Sequence, residues 1–173
     1  MHLKDHLLQG KAHKLGDDIN TDYIISGRYK FKTLDRNILA QHLLEDILPH
    51  FYQRITPGDF IVAGENFGCG SSREQAPLAI KHARIGAVLA RSFARIFYRN
   101  AINLGLPIIV TDTRKIKNGD ELQVDLSKGK VINATAGLSL RTESFPPEIM
   151  QIIEAGGLIE YFKKGRGWIE LRR

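Results

Sequence analysis

The chain of 173 residues is 43% hydrophobic and 25% charged, enough apolar material for one sizeable core and too little for two. Its single cysteine, Cys69, excludes an internal disulfide framework, a self-contained iron–sulfur cluster and a cysteine-rich zinc site. The net charge of +6 is spread along the chain and clusters only in the tail (Lys163, Lys164, Arg166, Arg172 and Arg173), with no nucleic-acid-binding signature among the basic residues.

The opening stretch MHLKDHLLQGKAHKLGDD carries charge throughout and lacks the apolar centre of a signal peptide. No apolar run approaches the length of a membrane span, about 20 residues. A cytoplasmic location, away from any membrane, is therefore expected. Residues 16–26, GDDINTDYIIS, mix acids and turn formers before a short apolar run. A helix is predicted across Arg36–Ile47, where Ile38, Leu39, His42, Leu43 and Ile47 recur at helical spacing. TPGD at 56–59 is a turn, with Pro57 fixing one dihedral and Gly58 relaxing the next. Then come strand DFIVAG (59–64), the loop GCGSSRE (68–74), a helix over 74–83 and strand GAVLA (86–90). Helix SFARIFYRNAINLG (92–105) and strand LPIIVT (106–111) follow.

Strand, helix, strand, helix, strand with short connections is the sequence form of parallel βαβ units. The strands are continuously apolar, as expected when both faces are covered. After residue 112, ELQVDL, KVINAT and LSLR are short alternating strands between glycine-bearing turns, a pattern of antiparallel pairing. A closing helix, PPEIMQIIEAG (146–156), begins with proline, where the missing N–H costs least. Residues 1–173 are expected to form one α/β domain, a mixed sheet layered with helices.

The loop at 68–74 carries the densest chemistry. Gly68 and Gly70 let the backbone turn and approach a ligand closely, and N–H groups at the following helix start favour negative charge. Arg73 adds a planar fork suited to a carboxylate or phosphate. A dinucleotide fingerprint wants a third glycine where Arg73 stands, and a P-loop wants a GK[ST] ending. Ser72 or Ser71 as an N-cap, with Gln75 closing a capping box, explains one serine. It leaves the glycine pair, the second serine and Arg73 without a purpose. A hydrolase elbow needs G-x-S-x-G, and the six histidines (His2, His6, His13, His42, His50, His82) lie outside recognisable motifs. What remains is a serine beside an arginine, among backbone N–H groups that stabilise its alkoxide. Such a serine can remove a proton next to a carboxylate. That is lyase chemistry, which needs a Lewis acid to help the hydroxyl leave, and this chain alone does not supply one.

NFGCGSSREQAPLAIKHA and SFARIFYRNAINLGLPII resemble the small subunit of 3-isopropylmalate dehydratase, in the aconitase superfamily. GDDINTDYIISGRY near the start and FPPEIMQIIEAGGLIEYF near the end are similar to the same family, so the resemblance runs from about residue 14 to residue 164. It implies a swivelling β/β/α three-layer domain that closes over the active site of a separate large subunit carrying a [4Fe–4S] cluster. This chain then binds no cofactor and no metal itself, and the cluster is expected in the partner. By position, Ser71 matches the family's catalytic base, while Ser72 and Arg73 match residues that bind the substrate carboxylate. Cys69 is read as a packing residue.

The resemblance also places a substrate-recognition segment at RYKFKT (28–33), so that Tyr29, Lys30, Phe31, Lys32 and Thr33 are candidate substrate contacts. Isopropylmalate enzymes resemble Y-L-V-Y or Y-L-V-M there, and homoaconitases Y-L-R-T. Tyr29 matches and Phe31 is apolar, favouring an alkyl group, whereas Lys30 and Lys32 depart from the pattern. The expected function is isomerisation of 2-isopropylmalate to 3-isopropylmalate by dehydration and rehydration, in leucine biosynthesis. Homoaconitase, 2,3-dimethylmalate dehydratase and aconitase small subunits are the alternatives within the superfamily. A free-standing anion- or nucleic-acid-binding module, using the same helix start, is the alternative of another class. The 28–33 segment is expected to be mobile without its partner.

Overall fold

A computed structural model of the chain describes residues 6–30 and 35–165. In chain order the elements are β1 (Leu7–Lys14), α1 (Thr21–Ile24), α2 (Gly27–Lys30), α3 (Arg36–Gln41), α4 (Phe51–Arg54), β2 (Phe60–Val62), α5 (Gln75–His82) and β3 (Ala87–Ala90). They continue as α6 (Arg95–Asn103), β4 (Ile108–Val110), β5 (Glu121–Asp125), β6 (Lys130–Asn133), β7 (Leu138–Arg141), α7 (Pro147–Ala155) and α8 (Leu158–Lys163). The strands form one sheet in the order β4-β3-β2-β1-β5-β6-β7. The half from β4 to β1 is parallel, and β1 turns antiparallel onto β5, which continues antiparallel through β6 and β7. The parallel βαβ core and the added antiparallel strands are thus both present.

Side-chain alternation divides the parallel half between two cores. Ile61, Ala63, Val88, Ala90 and Ile108 face one way and pack with Leu39, Leu43, Ala76, Ile80 and Phe97 from the helical layer. Phe60, Val62, Ala87, Leu89 and Ile109 face the other way and pack with Leu122, Val124 and Val131 of the antiparallel strands. The sheet therefore curls over its own parallel half, giving strands, strands and helices in three layers. Only the inner face of β5 is apolar: Leu122 and Val124 are buried while Glu121 is exposed. That asymmetry is what the period-2 pattern reports.

Three sequence expectations need correction. The helix anticipated across Arg36–Ile47 stops at Gln41: its start is capped by Asp35, which accepts from the N–H groups of Asn37 and Ile38. Leu44 then adopts φ +56° and donates its N–H to the Ile24 carbonyl instead of continuing the ladder. The helix anticipated from residue 92 begins at Arg95, because Phe93 is engaged in a parallel bridge with Phe67 and Ala94 is extended. The strand β1 was missing from the sequence reading. Its sequence LLQGKAHK is short of apolar residues, and only Leu8 and Ala12 are buried. Of the 28–33 segment expected to be mobile, residues 28–30 belong to α2 and residues 31–33 lie outside the described residues, as does the basic tail beyond residue 165.

Candidate active site

The loop after β2 crosses the carboxyl ends of the parallel strands, the usual position for ligands in open α/β sheets. It is pinned on both sides by backbone bonds. Phe67 N–H donates to Ser92 and Ala94 N–H returns to Phe67, at 3.0 and 2.9 Å. On the other side Gly68 N–H donates to Ile19 at 2.7 Å and Thr21 N–H to Cys69 at 2.8 Å. Gly68 and Gly70 hold φ +78° and +90°, and a Cβ on Gly68 would lie 2.2 Å from the Phe97 ring. Glycine at 68 is therefore required twice, by its dihedral and by contact with α6.

The chain between this loop and α5 releases its serines from capping. Helix α5 begins at Gln75 with Glu74 in the cap position and no side-chain cap bond. The expected Ser71 or Ser72 cap, with a Gln75 capping box, is absent at this helix start. Ser71 and Ser72 are exposed and Arg73 is partly buried. The Ser71 carbonyl accepts from Thr21 Oγ1 at 3.0 Å, which fixes its backbone. Arg73 Nη2 donates to Ser71 Oγ at 3.2 Å, and Nη1 is paired with the Asp22 carboxylate. A guanidinium donating to a serine oxygen favours the alkoxide over the neutral hydroxyl.

Ser71 and Arg73 line a cleft of about 340 Å³ together with Thr21, Gly68, Gly70 and the stretch Ala94–Phe97. Ser72 and Tyr29 do not line it. Among the described residues no histidine does either, so the serine has no imidazole partner there. The Cys69 thiol is partly buried, and that burial, with the Asp18 carboxylate nearby, pushes its pKa up. Nearby, Asp17 accepts from Glu65 N–H at 2.7 Å and from Arg91 at 2.8 Å, and these bonds hold its pKa below the usual carboxylate range. That network ties the 14–18 stretch to the ends of β2 and β3.

Tyr29 packs against the helical-side core on α2, and Lys30 ends that helix; Phe31, Lys32 and Thr33 lie outside the described residues. Thr21, which lines the cleft, and Asp22, which pairs with Arg73, escaped the sequence reading. Thr21 and Asp22 sit at the start of α1, within the GDDINTDYIIS stretch whose mixture of acids and turn formers was noted without a role. The signal was an acid placed where the chain leaves a turn, and the Asn20–Cys69 bridge with the bonds around it brings it to Arg73.

Comparisons with known proteins show the family. The Aconitase C-terminal domain family matches residues 35–113. The 3-isopropylmalate dehydratase small subunit 2 of Archaeoglobus fulgidus is 55% identical over 155 residues, spanning 90% of this chain and 94% of that relative. The methanogen homoaconitase small subunit of Methanothermobacter thermautotrophicus is 48% identical over 158 residues, spanning 91% and 92%. The crystal structure of 3-isopropylmalate dehydratase from Methanocaldococcus jannaschii superimposes with a TM-score of 0.89 at 46% identity, covering 96% of this chain and 99% of that one. Fold and relatives thus define a small subunit of the aconitase-type hydro-lyases. More narrowly, the chain belongs to the family of 3-isopropylmalate dehydratase small subunits. Membership sets aside the free-standing anion- or nucleic-acid-binding module, and the small-subunit names imply a large-subunit partner.

Proposed function

We propose that this chain, as one swivelling domain, supplies half of the catalytic pocket of a cytoplasmic hydro-lyase that converts 2-isopropylmalate to 3-isopropylmalate. The observation that carries the reading is the Arg73–Ser71 contact at the mouth of an open cleft. In dehydration Ser71 Oγ, as alkoxide, takes the proton from the carbon next to a carboxylate. The C–H electron pair becomes the second bond of an enzyme-bound alkene as the hydroxyl departs from the neighbouring carbon. Rehydration returns the proton from Ser71 with the positions exchanged. Arg73 orients a substrate carboxylate through its planar fork, and Ser72 adds a hydroxyl donor to the same group. A [4Fe–4S] cluster on the large subunit supplies the Lewis acidity for hydroxyl departure. With a single cysteine, this chain's donor set does not fit that cluster.

Substrate selection falls to Tyr29, Lys30, Phe31, Lys32 and Thr33. The apolar Phe31 favours an alkyl side group. Lys30 and Lys32, with a homoaconitase small subunit at 48% identity, support a second reading in which the side group carries a carboxylate. The test is reconstitution with the cognate large subunit and a panel of 2-alkyl and 2-carboxyalkyl malates. Turnover of 2-isopropylmalate at least about tenfold above homocitrate or citrate in kcat/KM is expected, the discrimination one pocket can give. The reverse order contradicts the first reading and favours the second.

A further inference from the structure

Between Cys69 and Arg73 the backbone of the site loop has little to hold it. Among the described residues no backbone–backbone hydrogen bond reaches Gly70, Ser71 or Ser72. The nearest such ties are at the two ends, where the Cys69 carbonyl accepts from Thr21 N–H at 2.8 Å and the Arg73 carbonyl from Ala76 N–H at 3.4 Å. Gly70, at φ +90°, adds freedom to the same stretch. The Ser71 peptide is nonetheless held, because the Thr21 hydroxyl donates to the Ser71 carbonyl at 3.0 Å. Both backbone groups of Thr21 are engaged elsewhere: its N–H with Cys69, and its carbonyl with Ile25 N–H at 3.1 Å as α1 begins. The side chain therefore supplies a tie that the backbone at this position does not. Thr21 is 2% exposed and branched at Cβ, so its hydroxyl has few rotamers open to it and is sheltered from water.

We propose that Thr21 is a positioning residue for the proton transfer: its hydroxyl holds the Ser71 peptide and so sets where Ser71 Oγ stands in the cleft. The inference rests on reading Ser71 as the base. A side chain is carried by its own Cα, and an untied peptide there swings Oγ away from the substrate carbon. Misplacing a reacting group by about 1 Å costs up to a hundredfold in rate. Thr21 lines the cleft, but its hydroxyl proton is engaged by the Ser71 carbonyl, so its effect runs through the serine. The adjacent Asp22 pairs with Arg73, and Arg73 donates to Ser71 Oγ at 3.2 Å. The start of α1 thus holds the serine by its peptide and the guanidinium by its charge. Releasing the peptide lengthens the Arg73–Ser71 contact as well, and the alkoxide then loses a donor together with its place.

The test uses the enzyme reconstituted with its iron–sulfur large subunit and 2-isopropylmalate as substrate. Thr21→Val and Thr21→Ala lose the hydroxyl, and Thr21→Ser keeps it. They are compared with wild type, with Ser71→Ala and with the Thr21→Val/Ser71→Ala double variant, and assembly and melting temperature are read for each. Thr21→Val and Thr21→Ala are expected to lower kcat about 10- to 100-fold with KM within about threefold of wild type. Thr21→Ser should restore kcat to within about fivefold, because the bond to the Ser71 carbonyl returns. The double variant should be no slower than Ser71→Ala, since both changes act on one proton transfer. Near-normal kcat in Thr21→Val and Thr21→Ala, beside a large loss in Ser71→Ala, overturns the positioning role and leaves the base standing. Near-normal kcat in Ser71→Ala overturns the base and the inference with it. A Thr21→Ser enzyme as slow as Thr21→Val assigns the effect to the lost methyl group and overturns the role of the hydroxyl. Failure of both Thr21→Val and Thr21→Ala to fold or assemble, or a rise in KM with kcat unchanged, identifies a structural or binding role and also overturns the proposal.

Discussion

Arg73 divides its fork between an acid of its own chain and the proposed base. One nitrogen is paired with Asp22 and another donates to Ser71 Oγ. A lysine in its place offers one compact charge, which cannot hold a carboxylate in two bonds and reach the serine as well. In the reconstituted enzyme Arg73→Lys should lower kcat/KM by about 10- to 1000-fold, or about 1.4–4 kcal/mol of transition-state stabilisation, with assembly intact. Steady-state kinetics on a variant that still co-purifies with the large subunit decides it; kinetics like wild type would remove Arg73 from the site. The serine pair and Arg73 were legible in the sequence because no cap, elbow or P-loop accounts for them together. Thr21 and Asp22 were not, since their role comes from a bridge between segments about 50 residues apart.

Elements are held to one another by few, specific devices. Gly68 is the point where the site loop touches α6, with Phe97 buried directly beneath it. Gly68→Ala adds a Cβ into that ring at a dihedral that alanine resists, and overpacking of this kind costs about 1–3 kcal/mol. A melting temperature several degrees lower, with activity reduced because the loop shifts, is the expected result; an unchanged melting temperature would contradict the contact. Lys81 on α5 donates to the carbonyls of Leu104 and Gly156, closing the ends of α6 and α7 at 2.6 Å each. Lys81→Met should cost about 1–3 kcal/mol in denaturant unfolding without touching kcat, because those carbonyls lose a charged donor far from the cleft. The strands β2, β3 and β4 and the helices between them were read from continuous apolar runs and helical periodicity, which are local signals. The early end of α3 and the late start of α6 were not, since Leu44 and Phe93 are held by partners elsewhere in the chain.

Across the whole molecule, Asp59 ties the start of β2 to β1. It is 3% exposed and accepts from Lys11 N–H and Thr56 N–H at 2.9 Å and from His13 Nε2 at 2.8 Å. Burial alone pushes its pKa up, but these three donors prevail and hold it below the usual carboxylate value. A depressed carboxylate stabilises the fold above its unfolded pKa, about 4, and loses that contribution as pH falls through the folded value. Wild type should therefore lose melting temperature between pH 5 and pH 3, and Asp59→Asn, less stable at pH 7 by about 1–3 kcal/mol, should lose less over the same range. Parallel curves for the two would show that Asp59 contributes nothing to acid sensitivity. β1 itself was invisible in the sequence, because a strand that joins two halves of a sheet is chosen by its neighbours as much as by its own residues.

Among the described residues no helix is long and apolar enough to cross a membrane. The cleft opens on the surface, where a second protein can complete it. The central claim is that Ser71 is the base. Its most direct measurement is kcat for 2-isopropylmalate with the large subunit bound to Ser71→Ala, after assembly and melting temperature are matched to wild type. A fall of about 10²- to 10⁴-fold is expected for loss of a general base. Turnover within about threefold of wild type would place the proton transfer on another residue.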